Sequence, residues 1–299
     1  EVFSGVRQGC PLSPLLFALV VDPFLRKLHS LLSEDKGDLI RAYADDVAIV
    51  LHDISLLGPI LDAFREFGEI SGLHLNMSKC EVIPLSHPDP VKFKEEVLAS
   101  LCHEATAMNV VTTGKYQGFQ VGPGKADKSW ISPLAKFEKR TLAWADLKLG
   151  IHLNMRAFRT FIASVLGYII QLERPSDAVC KGWNWSIRRL VPGPGNWVTE
   201  SDLTALSFLH ISPCEFPTLE SWSLASRVRV LFSLGMNGTI EKLVALEKMA
   251  LRHFTDPRTR RWFDVSPASV LLEAFRTMEA RKIRTNNICS LAAHPLHRD

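Results

Sequence analysis

No stretch of this 299-residue chain is long and apolar enough to cross a bilayer as a helix. The longest apolar runs are Leu15–Val21, stopped by Asp22, and Phe161–Leu172. No secretory leader pattern opens the sequence. It begins on Glu1 rather than Met, so the natural N-terminus is expected upstream. The six cysteines (Cys10, Cys80, Cys102, Cys180, Cys214, Cys289) form no Cys-x-x-Cys pair and read as reduced thiols of an intracellular protein. Cys289, His294 and His297 lie near one another, but their spacing fits no common zinc pattern and a fourth ligand is missing. There is no internal repeat or low-complexity segment. Membrane spans, a disulfide scaffold and a solenoid are thereby excluded. What is left is an ordinary globular profile, 46% hydrophobic and 22% charged, long enough for two cores.

The net charge of +3 conceals a strong segregation. Residues 1–114 hold 9 Lys/Arg against 16 Asp/Glu, a balance of −7. Residues 115–190 hold 13 against 5, a balance of +8, and residues 191–299 hold 13 against 11. An acidic module followed by a basic one suits a metal site beside a surface that grips a polyanion. A solvated basic helix face would give the same count.

Local patterns divide the chain in a similar way. Gly5 to Pro14 is a loop punctuated by Gly and Pro, with Ser13 placed to cap a helix from Pro14 to about Leu32. Leu15, Leu16, Leu19, Val20 and Leu25 give that helix an apolar face, and Pro23 is expected to kink it. Strands at 39–44 and 47–51 form a hairpin, followed by a helix at about 55–70 that Gly72 ends. Residues 73–76, 81–85 and 116–121 read as strands, and a helix is expected from Pro90 to about Ser100. After Lys125 the pattern is helical, with long amphipathic segments at 130–147 and 154–172. A joint is expected near 175–197, marked by Pro175, Trp183-Asn184-Trp185 and Pro192-Gly193-Pro194-Gly195. Further helices follow to the end. Strands first and helices after predict an α+β module joined to an all-α one.

Within the hairpin, Tyr43-Ala44-Asp45-Asp46 places two adjacent carboxylates between two apolar strands. Side by side they repel, and each resists burial unless a cation compensates. A divalent ion such as Mg²⁺ resolves the conflict, since it binds through one or two carboxylates plus substrate phosphates. The pair therefore points to phosphoryl transfer, although an acidic hairpin turn alone would look the same.

Four segments in order separate those readings. They are Gly5-Val6-Arg7-Gln8-Gly9-Cys10-Pro11-Leu12-Ser13-Pro14-Leu15-Leu16-Phe17, Ala42-Tyr43-Ala44-Asp45-Asp46, Gly72-Leu73-His74-Leu75-Asn76-Met77-Ser78-Lys79, and Tyr116-Gln117-Gly118. Together they closely resemble motifs B, C, D and E of the reverse transcriptases of non-LTR (LINE-type) retrotransposons. The resemblance implies a partial polymerase palm over residues 1–124, an antiparallel sheet with helices. A helical thumb over 125–190 and a helical region of unknown role over 191–299 complete the division. It also implies RNA-directed DNA polymerase activity, with an RNA template, a DNA primer and dNTPs as partners, two Mg²⁺ ions as cofactors, and no membrane. Its host setting is the nucleus or cytoplasm of a eukaryotic cell; oligomeric state is left open.

The resemblance also assigns roles. Asp45 and Asp46 are the metal ligands, and Lys79 is the general acid for the leaving pyrophosphate. Arg7, Gln8, Gly9, Ser13 and Tyr43 border the nucleotide and template, and Tyr116 and Gly118 form the primer grip. Lys136, Lys139, Arg140, Lys148, Arg156 and Arg159 are candidates for nucleic-acid backbone contacts. Cys10 and the tryptophans 130, 144, 183 and 185 read as packing. Two positions depart from the common pattern: Cys80 stands where Thr is frequent, and Gln117 where Leu is usual. A third metal-binding aspartate, on motif A, lies N-terminal to motif B in this family, and only four residues precede the match here. The 299-residue chain alone is therefore expected not to polymerise. The alternative function is a catalytically dead element remnant that at most binds nucleic acid. A nucleotide cyclase or another palm polymerase would not account for motif B in this form.

Overall fold

The computed structural model describes residues 9–85, 89–98, 100, 104–195, 197–206, 215–253 and 266–281. Contacts group the chain into two compact units, Glu1–Ala126 and Asp127–Asp299. The first is α+β, and the second has helices and no strand among its described residues. No helix among the described residues is long and apolar enough to cross a membrane.

The first unit is built around two helices and one hairpin. Helix α1 (Ser13–Leu31) continues through Pro23 and buries Val21, Phe24 and Leu28. Helix α2 (Leu57–Ser71) ends at Gly72, whose φ of 73° closes the last turn through a bond from its N–H to the Gly68 carbonyl. Phe24 stacks on Phe67 at 4.4 Å and meets Phe64 edge-on at 4.8 Å. Burying one such ring stabilises the unit by about 1.5–3 kcal/mol. Ile60 and Ala63 of α2 face this cluster, whereas Leu57 and Leu61 face a second one with Phe93, Leu98, Ala105 and Met108. Two cores thus share one helix, which fixes α2 from both sides.

Strands β1 (Leu39–Tyr43) and β2 (Asp46–Val50) pair antiparallel in the register Leu39↔Val50 to Tyr43↔Asp46. Strand β3 (Glu81–Val82) pairs parallel with β4 (Asn109–Val110). Between them, α3 (Pro90–Lys92) passes into a π-helical turn at Phe93–Leu98. Strands β5 (Gly114–Tyr116) and β6 (Phe119–Val121) form a second tight hairpin.

Several expectations are corrected. Ser13 does not cap α1: Leu12 holds the N-cap position in helical conformation, with no side-chain bond. The expected apolar face of α1 is largely turned to solvent, with Leu15 58% and Leu19 62% exposed. The residues that α2 and the hairpin cover are Val21, Phe24 and Leu28. Residues 73–76 are irregular, and the 81–85 strand shrinks to two residues. The expected 116–121 strand is the turn and second arm of the β5–β6 hairpin. Cys10 is exposed rather than packed.

In the second unit, α4 (Lys128–Ala145) packs on α6 (Asp177–Leu190). The segment expected to form the long 154–172 helix breaks into α5 (Ile151–Ala157), a π turn at Phe158–Ile162 and short 3₁₀ turns. The Ser164 hydroxyl bonds back to the Thr160 carbonyl, a contact that bends helices. Trp183, expected near a joint, is the centre of this core and has no exposed surface. It lies parallel to Phe137 at 6.0 Å, meets Phe158 edge-on at 4.9 Å, and donates its indole N–H to the Pro217 carbonyl. Trp130 is buried as well, but Trp185 is 41% exposed. The buried hydroxyls of Thr141 and Ser186 pair at 2.6 Å. Beyond the short α7 (Glu200–Thr204), helices α8 (Leu219–Ser233), α9 (Met236–His253) and α10 (Pro267–Ala280) enclose a further cluster of Leu231, Leu243, Leu271 and Leu272.

Candidate active site

The Asp45-Asp46 pair occupies the tip of the β1–β2 hairpin. Ala44 and Asp45 form a two-residue turn, and Asp46 is the first residue of β2, opposite Tyr43. A two-residue connection needs a left-handed first position to match strand twist, which is why glycine is favoured there. Ala44 fills it with φ 51°, at a cost of about 1–2 kcal/mol. Strain at a residue beside a candidate ligand is of the kind that clusters at functional sites. Both carboxylates and Tyr43 are exposed.

The opposite end of the hairpin is clamped by a residue that sequence reasoning missed. The buried Asp38 carboxylate accepts the backbone N–H groups of His52 at 2.8 Å and Ser33 at 3.0 Å, and contacts the His52 imidazole Nδ1 at 2.7 Å. These donors hold its carboxyl down to about 2, the His52 N–H having the largest effect. The signal was available: Asp38 and His52 stand just outside the expected strands 39–44 and 47–51.

The β5–β6 hairpin turns over Gln117 and Gly118, both at positive φ (48° and 85°). Its tip reaches the first hairpin. The Gln117 amide donates to Asp46 Oδ2 at 3.4 Å, and the Tyr116 hydroxyl donates to the Arg41 carbonyl at 3.5 Å. The structure therefore brings Tyr116, Gly118, Asp46 and Tyr43 into one neighbourhood.

Other candidates are placed less closely. Gly9 adopts φ 88° in the turn before α1, and Ser13 opens that helix, while Arg7 and Gln8 lie outside the described residues. The Leu12 backbone N–H, and then the Ser13 hydroxyl, favour the Cys10 thiolate and lower its pKa. Lys79 is exposed at the end of a 3₁₀ turn (Met77–Lys79), and among the described residues no hydrogen bond or ion pair joins it to the hairpin. In the second unit, Lys136 and Arg140 line a groove of about 420 Å³ with Ser132, Pro133, Ser164 and Val165. The Arg140 guanidinium is fixed there by donation to the Phe161 carbonyl at 2.5 Å. Lys139, Arg156 and Arg159 are exposed on the helical segments. Lys148 is exposed on the turn after α4, with φ 50°.

The donor set at the tip fits a hard cation. It offers the oxygens of two adjacent carboxylates; among the described residues, the tip included, no group of three or more His, Cys, Asp or Glu is placed to hold a metal. Mg²⁺ is held in that way, with water and phosphate filling the other positions.

Residues 1–121 match the family described as reverse transcriptase (RNA-dependent DNA polymerase). This stretch is similar to the reverse transcriptases. Over 79 residues it is 43% identical to the retrovirus-related Pol polyprotein from type-2 retrotransposable element R2DM of Drosophila melanogaster. That alignment covers 25% of this chain and 8% of the relative. It is also 37% identical over 81 residues to the transposon TX1 uncharacterized 149 kDa protein of Xenopus laevis, covering 25% of this chain and 6% of that one. The chain thus spans less than a tenth of the relatives it matches. The matched stretch contains Asp45, Asp46, Lys79, Tyr116 and Gly118. The basic residues at 136–159 lie beyond it.

Proposed function

We propose that this chain is the motif B-to-thumb part of an RNA-directed DNA polymerase that extends a DNA primer with dNTPs on an RNA template. The observation that carries the reading is the carboxylate pair on a strained two-residue turn, within a stretch that matches the reverse transcriptases. Asp45 and Asp46 would hold Mg²⁺. When bound, the metal pair activates the primer 3′-hydroxyl and stabilises charge on the leaving pyrophosphate. Arg7, Gln8, Gly9, Ser13 and Tyr43 border the incoming nucleotide and template. Tyr116 and Gly118 place the primer end, and Lys79 gives a proton to the leaving group. Lys136, Lys139, Arg140, Lys148, Arg156 and Arg159 grip the nucleic-acid backbone by charge, without reading sequence. The setting is the nucleus or cytoplasm of a eukaryotic host, in keeping with the two animal relatives.

Two adjacent carboxylates are one short of what this chemistry uses, so the 299 residues alone bind nucleic acid but do not polymerise. The test is a poly(rA)/oligo(dT) hybrid with labelled dTTP. The purified chain should bind it in a salt-dependent manner and incorporate nothing. Incorporation by the chain alone would overturn the need for a further carboxylate, and failure to bind at low salt would overturn the nucleic-acid reading. Joined behind the corresponding upstream segment of the R2-type relative, the chain should incorporate dTTP, and Asp45→Ala should abolish it. Equal activity in that variant removes Asp45 from the mechanism.

A further inference from the structure

We infer that Gln117 is a positioning residue for the metal site, acting through Asp46. The inference rests on the metal reading above and extends it to a residue at which this chain departs from the family pattern. Three observations meet at Gln117. Its backbone is left-handed at φ 48°, a conformation that a non-glycine residue with a long side chain adopts at a cost. Its amide donates to Asp46 Oδ2 at 3.4 Å across a separation of 71 residues. The neighbouring Tyr116 hydroxyl donates to the Arg41 carbonyl, so the two hairpins are tied at two points. Leucine at position 117 could pack but could not donate.

The physical consequence is a division of labour between the two carboxylates. Asp45 lies in the turn and Asp46 begins the strand, so they are held differently by the backbone. An amide on one oxygen of Asp46 orients that carboxylate without adding charge. The β5–β6 turn then sets the orientation of a metal ligand, and the element that carries the primer grip is coupled to the metal site.

The test is Mn²⁺ binding to the 299-residue chain, followed by electron paramagnetic resonance, alongside thermal unfolding. Three proteins are compared: wild type, Gln117→Gly and Asp45→Asn. Glycine suits the left-handed turn, so Gln117→Gly should leave Tm unchanged or raise it. The same variant should weaken Mn²⁺ about tenfold, the low end for an outer-shell partner. Asp45→Asn should lose the site. Wild-type Mn²⁺ affinity in Gln117→Gly, with Asp45→Asn still defective, overturns the role of Gln117 alone. A joint fall of Tm and affinity in Gln117→Gly reduces Gln117 to a structural residue and also overturns it. If Asp45→Asn binds as wild type does, or if wild type binds no Mn²⁺ at millimolar concentration, the metal reading falls and the inference with it.

Discussion

Removing the Trp183 side chain should decide whether the second unit stands on one aromatic core. The ring is fully buried, stacked on Phe137, edge-on to Phe158 and tilted against Trp222 at 6.3 Å. Trp183→Ala removes those contacts together and leaves a void, which for a buried tryptophan costs about 3–5 kcal/mol. It also strands the Pro217 carbonyl, which accepts the indole N–H at 3.1 Å. That loss lies within the same range and is not added to it. Trp183→Phe keeps most of the ring packing and loses chiefly the hydrogen bond, so about 1–2 kcal/mol is expected. The assay is urea unfolding followed by circular dichroism. With an m-value of roughly 2 kcal/mol/M, Trp183→Ala should move the helical transition by about 2 M. Mn²⁺ binding at Asp45 should persist, since Glu1–Ala126 has its own clusters. Binding to poly(rA)/oligo(dT) should fail as the second unit unfolds. A Trp183→Ala midpoint within about 0.2 M of wild type would refute the assignment of this core.

Other perturbations probe separate features. Gly122 has φ 117°, and an added Cβ would lie 2.5 Å from the Thr112 carbonyl oxygen, so Gly122→Ala should cost about 2–4 kcal/mol in thermal unfolding. The Asp38 carboxyl lies at about 2 in the folded chain against an ordinary 3.8. Its contribution is complete above the unfolded value and is lost as pH falls through the folded one, so Tm should drop between those limits. Asp38→Asn should flatten that part of the Tm–pH curve, and an unchanged acid slope would exclude the clamp. Lys136→Ala and Arg140→Ala should each weaken hybrid binding and lower the slope of log K against log salt by about 1. An unchanged slope would remove the groove from the nucleic-acid surface.

The β1–β2 hairpin was legible as an element because its information is local, two apolar strands and a polar tip, but its register was not: strands at 39–44 and 47–51 would put the turn at Asp45-Asp46, whereas it lies at Ala44-Asp45 and Asp46 pairs with Tyr43. The α2 helix and its end at Gly72 were legible for the same reason. The face that α1 buries was not. Periodicity announces that an apolar stripe exists, but the partner decides which part is covered, and here Val21, Phe24 and Leu28 meet α2. Gln117-Gly118 carried a turn signal that the apolar flanks Tyr116 and Phe119 obscured. The Gln117–Asp46 contact lay beyond any local pattern, since 71 residues separate the two. In the second unit Trp183 was read by its Gly- and Pro-rich neighbours rather than by its helix. The run at 154–172 looked like one helix because residue type does not record back-bonding such as Ser164 to Thr160.

The two-residue turn also bears on the order in which the site is assembled. A hairpin of this length closes on roughly the microsecond scale. The loop that ends at Gln117 spans 71 residues and includes the α2 helix, so its closure comes later and at greater entropic cost. Asp45 and Asp46 therefore stand adjacent through most of folding without the amide that orients one of them. A divalent cation present at that stage would screen the pair, and refolding in Mn²⁺ should be faster than refolding in chelator.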